Sequence, residues 1–217
     1  MAKARSYDDP CGTARALDVV GERWALLVVR ELLLGPKRFG QLRTSLYGIS
    51  PNVLSQRLRE LEDDGVVRRA VLPPPASVTV YELTDRGRAF EPVLIELGRW
   101  GSRIAVVSDN ELTADALLLA FKTVYVPSGE RVIYALQIAE EWYSVVTDPV
   151  RLDVTRARPA EPDATLAGDV AALRSFGFGR ATMSELESAG LLQVGGSRAA
   201  ARRFPRLFRV PAPLPSG

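Results

Sequence analysis

The chain contains no histidine, one cysteine and only three lysines among its 28 basic residues. Without histidine there is no Ser-His-Asp or Cys-His arrangement to activate a nucleophile. A single cysteine, Cys11, makes no internal disulfide and no cysteine-based zinc site. No run of about 18 uncharged apolar residues occurs, so no segment reads as a membrane span. Met1 to Asp9 are polar and charged rather than apolar as in a signal peptide, which predicts a cytoplasmic protein. The adjacent carboxylates Asp63-Asp64 and Glu140-Glu141 point to different faces and read as solvated groups. Gly177-Phe178-Gly179 has neither the third glycine nor the preceding strand of a dinucleotide loop. The expectation is a protein that is not an enzyme and holds no metal or cofactor.

What is present is enough apolar material for sizeable cores, 47% of 217 residues, in a chain longer than a usual domain of about 100 to 200 residues. The charge is uneven. Residues 1–103 hold 16 basic and 13 acidic groups, and the remainder hold 12 and 13. Basicity therefore lies in the first half, where nucleic acid is the natural partner, and net charge gives the second half no reason to touch it.

Every ionised side chain from Leu32 to Arg59 is basic. Within that window Phe39, Leu42 and Leu46 recur at helical spacing, Tyr47-Gly48-Ile49 form a turn, and Ser50-Pro51 start a second helix that runs to Asp64. Leu54, Leu58 and Leu61 are its core face. Asn52, Gln56 and Arg59, with Ser55 beside them, fall on the opposite side and are chemically able to read base edges. Lys37, Arg38, Arg43, Arg57 and Arg59 supply cations for phosphates. The alternative for such a face is plain solvation. The neighbours favour DNA: Val66 to Leu72 and Val78 to Leu83 read as a hairpin around Pro73-Pro74-Pro75-Ala76-Ser77. Helix, turn, helix and hairpin make a winged helix. Its loop tip has no Lys or Arg, which leaves any wing contact to Arg68 and Arg69.

Cys11, the run Ala16 to Trp24, Leu32 to Phe39, Gly48 to Glu62 and Val80 to Thr84 together resemble the HxlR-type transcriptional regulators. The resemblance covers about half the chain. It implies a homodimer that binds palindromic operator DNA and controls nearby genes. The preference for Arg over Lys, with abundant Ala, Gly and Pro, suggests a GC-rich bacterial genome.

After the wing, Phe90, Leu94, Leu97 and Gly101, joined by Val93, Trp100 and Ile104, form an apolar stripe suited to pairing with a second copy or to packing on its own domain. Pro92 predicts a kink or a restarted helix near Ala89 to Glu91. The dimerisation candidates are Phe90, Leu94, Leu97 and Trp100. Cys11 stands near Arg15 at the start of the first helix, where cations and the helix dipole lower a thiol pKa; the alternative is a buried, inert cysteine. The resemblance implies an oxidant or electrophile sensor at this position.

A polar break at Val106 to Asn110 predicts two domains, 1–106 and 107–217. The second reads as a helix from Leu112 to Lys122, strands at Val132 to Ile138, Trp142 to Thr147, Leu152 to Thr155 and Ala164 to Ala167, helices at Asp169 to Ser175 and Met183 to Ala189, a strand at Leu191 to Val194 and a final helix from Ser197 to Phe208 that Pro205 interrupts. The fold class is α+β, a winged helix-turn-helix followed by a small α+β domain with an antiparallel sheet. Asp163 to Asp169, Leu186 to Gly196 and Phe204 to Phe208 resemble the sterol-carrier-like domain, with a departure at Gly177-Phe178-Gly179-Arg180. That likeness implies an apolar cavity, with Tyr134, Trp142, Phe176 and Phe178 as its candidate lining and a hydrophobic small molecule as ligand. A dimerisation role or a protein partner are the other readings. The function expected is a DNA-binding regulator modulated by an apolar ligand or by Cys11 oxidation; the alternative is a hydrophobic-ligand binding or carrier protein whose DNA binding is secondary.

Overall fold

Apolar residues at spacings of three and four turn the first part of the chain into helices, and their caps set where each begins. The computed structural model describes residues 6–105, 108 and 110–214, and divides into two units, Met1–Leu94 and Ile95–Gly217. The first unit contains α1 (Gly12–Val20), α2 (Ala25–Leu32), α3 (Phe39–Ser45), α4 (Pro51–Asp63), β1 (Val67–Val71), β2 (Thr79–Leu83) and α5 (Asp85–Arg88). Its core joins Val28, Val29 and Leu32 of α2 to Leu42, Leu54, Leu58 and Leu61, all at most 2% exposed. Complete burial of each such side chain is worth roughly 1.5–3 kcal/mol.

β1 and β2 pair antiparallel from Val67 opposite Leu83 to Val71 opposite Thr79. A further bond from Leu72 N to Val78 O (3.0 Å) extends the ribbon toward its proline-rich tip. The helix after the wing is broken as Pro92 requires. α5 ends at Arg88 and α6 (Glu91–Gly101) begins afresh, with Pro92 in a first turn that needs no amide donor. The division between the units lies within α6. Of the polar break read at Val106 to Asn110, Val106, Val107 and Asp109 lie outside the described residues.

In the second unit α7 (Ala114–Val124) precedes β3 (Ile133–Ile138), β4 (Glu141–Thr147), β5 (Leu152–Thr155) and β6 (Ala164–Gly168); α8 (Val170–Gly177), α9 (Met183–Ser188), β7 (Leu192–Gly196) and α10 (Arg198–Arg203) follow, and a 3-10 turn, Phe204–Leu207, ends the sequence of elements. The sheet order is β5-β4-β3-β6-β7. The expectation of an antiparallel sheet is corrected here, because β6 runs parallel to β3, with Tyr134 opposite Ala164 and Leu136 opposite Leu166. The other three pairings are antiparallel. Alternation in a strand tells which face is buried, not which strand lies beside it. Here the chain leaves β5 at one edge and passes β4 and β3 before it re-enters the sheet, which gives a crossover rather than a hairpin. Tyr134, Leu136, Tyr143, Val145 and Leu166, all 0% exposed, share the buried face.

Candidate nucleic-acid interface

The interface is built around the turn between α3 and α4. Gly48 has φ +83°, a conformation that costs glycine nothing, and lets the chain reverse while Leu46 and Ile49 stay buried. Ser50 then caps α4, its hydroxyl accepting from Val53 N at 3.3 Å, with Pro51 at the first helical position. Because Leu54, Leu58 and Leu61 hold the opposite side in the core, the rotation of α4 is fixed. Asn52, Gln56 and Arg59 are exposed and Ser55 is half-buried. Gln56 Nε2 donates to Glu60 Oε1 at 3.0 Å, so its amide is oriented along the helix. Arg38 and Arg43, at the two ends of α3, are exposed.

Two of the expected phosphate contacts are corrected by their surroundings. Lys37 is 6% exposed, and its ammonium lies 2.5 Å from Glu31 Oε2, a carboxylate with no exposure at all that also accepts from Arg30 at 2.7 Å. Burial pushes the Glu31 carboxyl up, but the Lys37 and Arg30 cations outweigh it and hold it below the usual carboxylate range. Arg57 is 7% exposed; its guanidinium pairs with Glu60 and lies 3.6 Å from Glu22. The window from Leu32 to Arg59 contains no acid, but Glu22, Glu31 and Glu60 stand just outside it and fold back onto it. A signal for this existed. Glu31 sits beside Val28, Val29 and Leu32 on the apolar face of α2, and a charge on a buried face demands a buried partner.

The wing arginines are also engaged. Arg68 Nε donates to Glu82 at 2.7 Å, and Arg69 pairs with Glu62 at 3.0 Å while lying 5.5 Å from the Tyr81 ring centroid. Both stay more than half exposed.

In α6 Leu94 is buried at 6%, and Phe90 just before it is half-buried, whereas Val93, Leu97 and Trp100 of α6 and Ile104 just after it are 46–57% exposed. Cys11 is exposed and stands at the N-cap of α1. The nearby Ala14 and Thr13 amides favour the thiolate and lower its pKa. The structure thus places the helix start where it was expected and puts the thiol in solvent rather than in the core.

In the second unit the four aromatic candidates do not line a common cavity. Tyr134, Phe176 and Phe178 belong to a cluster with Phe121, Phe204 and Phe208, whose ring centroids lie 4.4–6.4 Å apart. Tyr134 donates its hydroxyl to Ala200 O at 3.1 Å, and burial pushes its pKa up to about 12. Trp142 lies on the other face of the sheet, opposite Gln137, with the Arg158 guanidinium 4.3 Å from its ring centroid. The pocket lining that the sterol-carrier likeness implied is here occupied by ring-on-ring core packing. An open groove of about 560 Å³ is found instead at the ends of β3 and β6, lined by Gln137, Ile138, Gly168, Asp169 and Leu191 among others. Away from it, Asp115, 2% exposed, accepts at both carboxylate oxygens from Arg156 Nη2, each at 2.7 Å.

Among known proteins, the family model described as HxlR-like helix-turn-helix matches residues 19–109. The HTH-type transcriptional regulator YvaP of Bacillus subtilis (strain 168), itself described as uncharacterized, is 42% identical over 88 residues, 41% of this chain and 82% of YvaP. The chain belongs to the HxlR-like helix-turn-helix family. A second relative from the same organism, the HTH-type transcriptional regulator YodB, is 35% identical over 95 residues, 44% of this chain and 85% of YodB. A solved structure described as the redox regulator HypR in its oxidized form is 34% identical, with a TM-score of 0.41, and spans 45% of this chain and 100% of that one. As an HxlR-type protein, the chain is a DNA-binding transcriptional regulator with a winged helix-turn-helix and mixed α and β content. Among the described residues no helix is long and apolar enough to cross a membrane.

Proposed function

We propose that this regulator reads a palindromic operator as a homodimer, with α4 in the major groove and Asn52, Ser55, Gln56 and Arg59 at base edges. Arg38, Arg43 and the Ser50 end of α4 hold phosphates, since anions are favoured at a helix start. Lys37 and Arg57 act from below by fixing that surface. The observation that carries this reading is the outward polar face of α4, fixed by three fully buried leucines on the other side. Pairing of subunits runs through α6, whose exposed Leu97 and Trp100, flanked by Val93 and Ile104, are larger apolar groups than a solvated helix face requires. Such a protein is not an enzyme and works on the chromosome, in the bacterial cytoplasm. The second unit, which the sequence likens to the sterol-carrier-like fold, modulates the first. A hydrophobic ligand there would occupy the open groove beside Leu191, because the interior near Tyr134 is filled by aromatic rings.

Cys11 is the second route of control. An exposed thiol with its thiolate favoured is the form that oxidants and electrophiles attack. The reading is tested by fluorescence anisotropy of the full chain on labelled duplex from its own upstream region, with unlabelled random duplex as competitor. Binding that survives competition supports a specific regulator. Binding lost equally to any duplex on every genomic fragment tried would refute operator reading and leave ligand carriage as the main activity.

A further inference from the structure

Charge is segregated along the second unit. Residues 104–190 carry seven basic and 13 acidic side chains, whereas 191–217 carry five arginines and no acid. Burial decides which of these arginines face water. Ala200, Ala201, Phe204, Leu207 and Phe208 point into the core, and Arg202, Arg203, Arg206 and Arg209 are exposed. Arg198 is bound to Glu187 and Arg203 to Glu130. Among the described residues, Arg206 and Arg209 form no ion pair.

Two further arginines converge on the same ground. Arg209 N donates to Val124 O at 2.9 Å, and Arg99 Nε donates to the neighbouring carbonyl of Thr123 at 3.3 Å. Arg206 lies in the turn whose Leu207 carbonyl accepts from Val126 N at 2.8 Å. Arg103 Nε donates to Ala212 O at 3.1 Å, and its own carbonyl accepts from Leu214 N at 2.9 Å. The C-terminal segment is thereby strapped between the end of α6 and the end of α7, where helix carbonyls favour cations. Arg99, Arg103, Arg206 and Arg209 thus belong to this strapped region, and among the described residues the carboxylate paired with them is Glu96, on Arg99.

We infer that this arginine surface of the second unit binds the phosphate backbone of double-stranded DNA, without reading its sequence. The inference rests on the reading of the chain as a DNA binder. Guanidinium groups suit phosphate oxygens bidentately, and covalent tethering to a DNA-binding unit raises the effective concentration of duplex around the second unit. An acidic protein is the competing partner, and poly-glutamate stands in for it in the test.

The test is the salt dependence of affinity of the full chain for a labelled random duplex of roughly 40 bp, between about 50 and 200 mM salt. Arg206→Ala/Arg209→Ala lowers the magnitude of the log–log slope by about 1.8, at about 0.9 per lost phosphate contact, and weakens binding several-fold at low salt. Arg206→Lys/Arg209→Lys restores the slope, which separates charge from folding. An alanine variant with an unchanged slope overturns the inference, as does loss of poly-glutamate binding alone. Arg38→Ala/Arg43→Ala serves as the comparison. If it abolishes duplex binding and the C-terminal pair changes nothing, the proposed function stands and this surface plays no part. If the wild-type chain binds no duplex at all, both fail.

Discussion

Lys37 and Tyr81 exchange both backbone hydrogen bonds, at 2.9 and 2.8 Å, while the Lys37 ammonium reaches back to Glu31 in α2. One residue thus fastens the wing strand to the helical core and sets the start of α3. A buried pair of this kind adds little compared with an apolar replacement, but removing one partner strands the other and costs about 3–5 kcal/mol. Glu31→Gln is therefore expected to destabilise the first unit by about 3 kcal/mol, read as a fall in the midpoint of urea unfolding. The sign with pH follows from the lowered Glu31 pKa. Its stabilisation is present above the unfolded carboxyl's pKa of about 4.3 and is lost as pH falls through the lower folded value. Wild type and Glu31→Gln should accordingly converge in stability in acid. A constant gap down to full unfolding would show that the carboxylate's charge is irrelevant.

The outward face of α4 separates two kinds of contact. Arg59→Ala should cost about 1–3 kcal/mol on operator DNA and much less on random duplex, because a base-edge contact is lost. Arg38→Ala should weaken both alike. Equal losses for Arg59→Ala would assign it to phosphate.

Most of the first unit could be read from residue order because its determinants are local. Ser50-Pro51 starts α4, Pro92 restarts α6, and leucines at three- and four-residue spacing mark the core face. What stayed hidden was long-range. That Glu31 would meet Lys37, or Glu22 would approach Arg57, depends on how helices pack, and a count of charges within one window cannot report it. In the second unit the positions of the strands were legible, but β6 joining β3 in parallel was not, since alternation carries no information on neighbours. Of the four aromatic residues expected to line one pocket, Tyr134, Phe176 and Phe178 share a packed cluster while Trp142 lies on the other face of the sheet: apolar residues that converge fill a core unless something keeps them apart.

Subunit pairing through α6 makes Leu97→Glu the informative variant. Leu97 is 46% exposed in the single chain, so a carboxylate there leaves the fold intact but is buried on dimerisation without a partner. Light scattering after size exclusion should report a monomer, with unchanged circular dichroism and weakened operator binding. A dimer that persists would place the pairing surface elsewhere.

Cys11 offers a test of its surroundings that is independent of any regulatory role. Because the Ala14 and Thr13 amides favour the thiolate, iodoacetamide should modify the native protein with a pH midpoint below that of a small free thiol, and unfolding in urea should raise that midpoint. A midpoint at the free-thiol value would remove the reason to expect selective oxidation at this position.

The aromatic cluster of the second unit depends on an absent side chain. A Cβ on Gly177 would lie 2.5 and 2.6 Å from two ring carbons of Phe121, which is itself held by Phe178, Phe204 and Phe208. A ring confined on several sides cannot swing away as a flexible side chain would. Gly177→Ala gains helix propensity of about 1 kcal/mol at most, and overpacking costs typically 1–3 kcal/mol, so the net effect should be destabilising. Combining it with Phe121→Leu should recover part of that loss, as expected for two residues that share one space. Thermal unfolding of the two single variants and the double variant measures this coupling directly. If the effects are simply additive, the contact between Gly177 and Phe121 does not limit packing, and room for a ligand among these rings would have to be reconsidered.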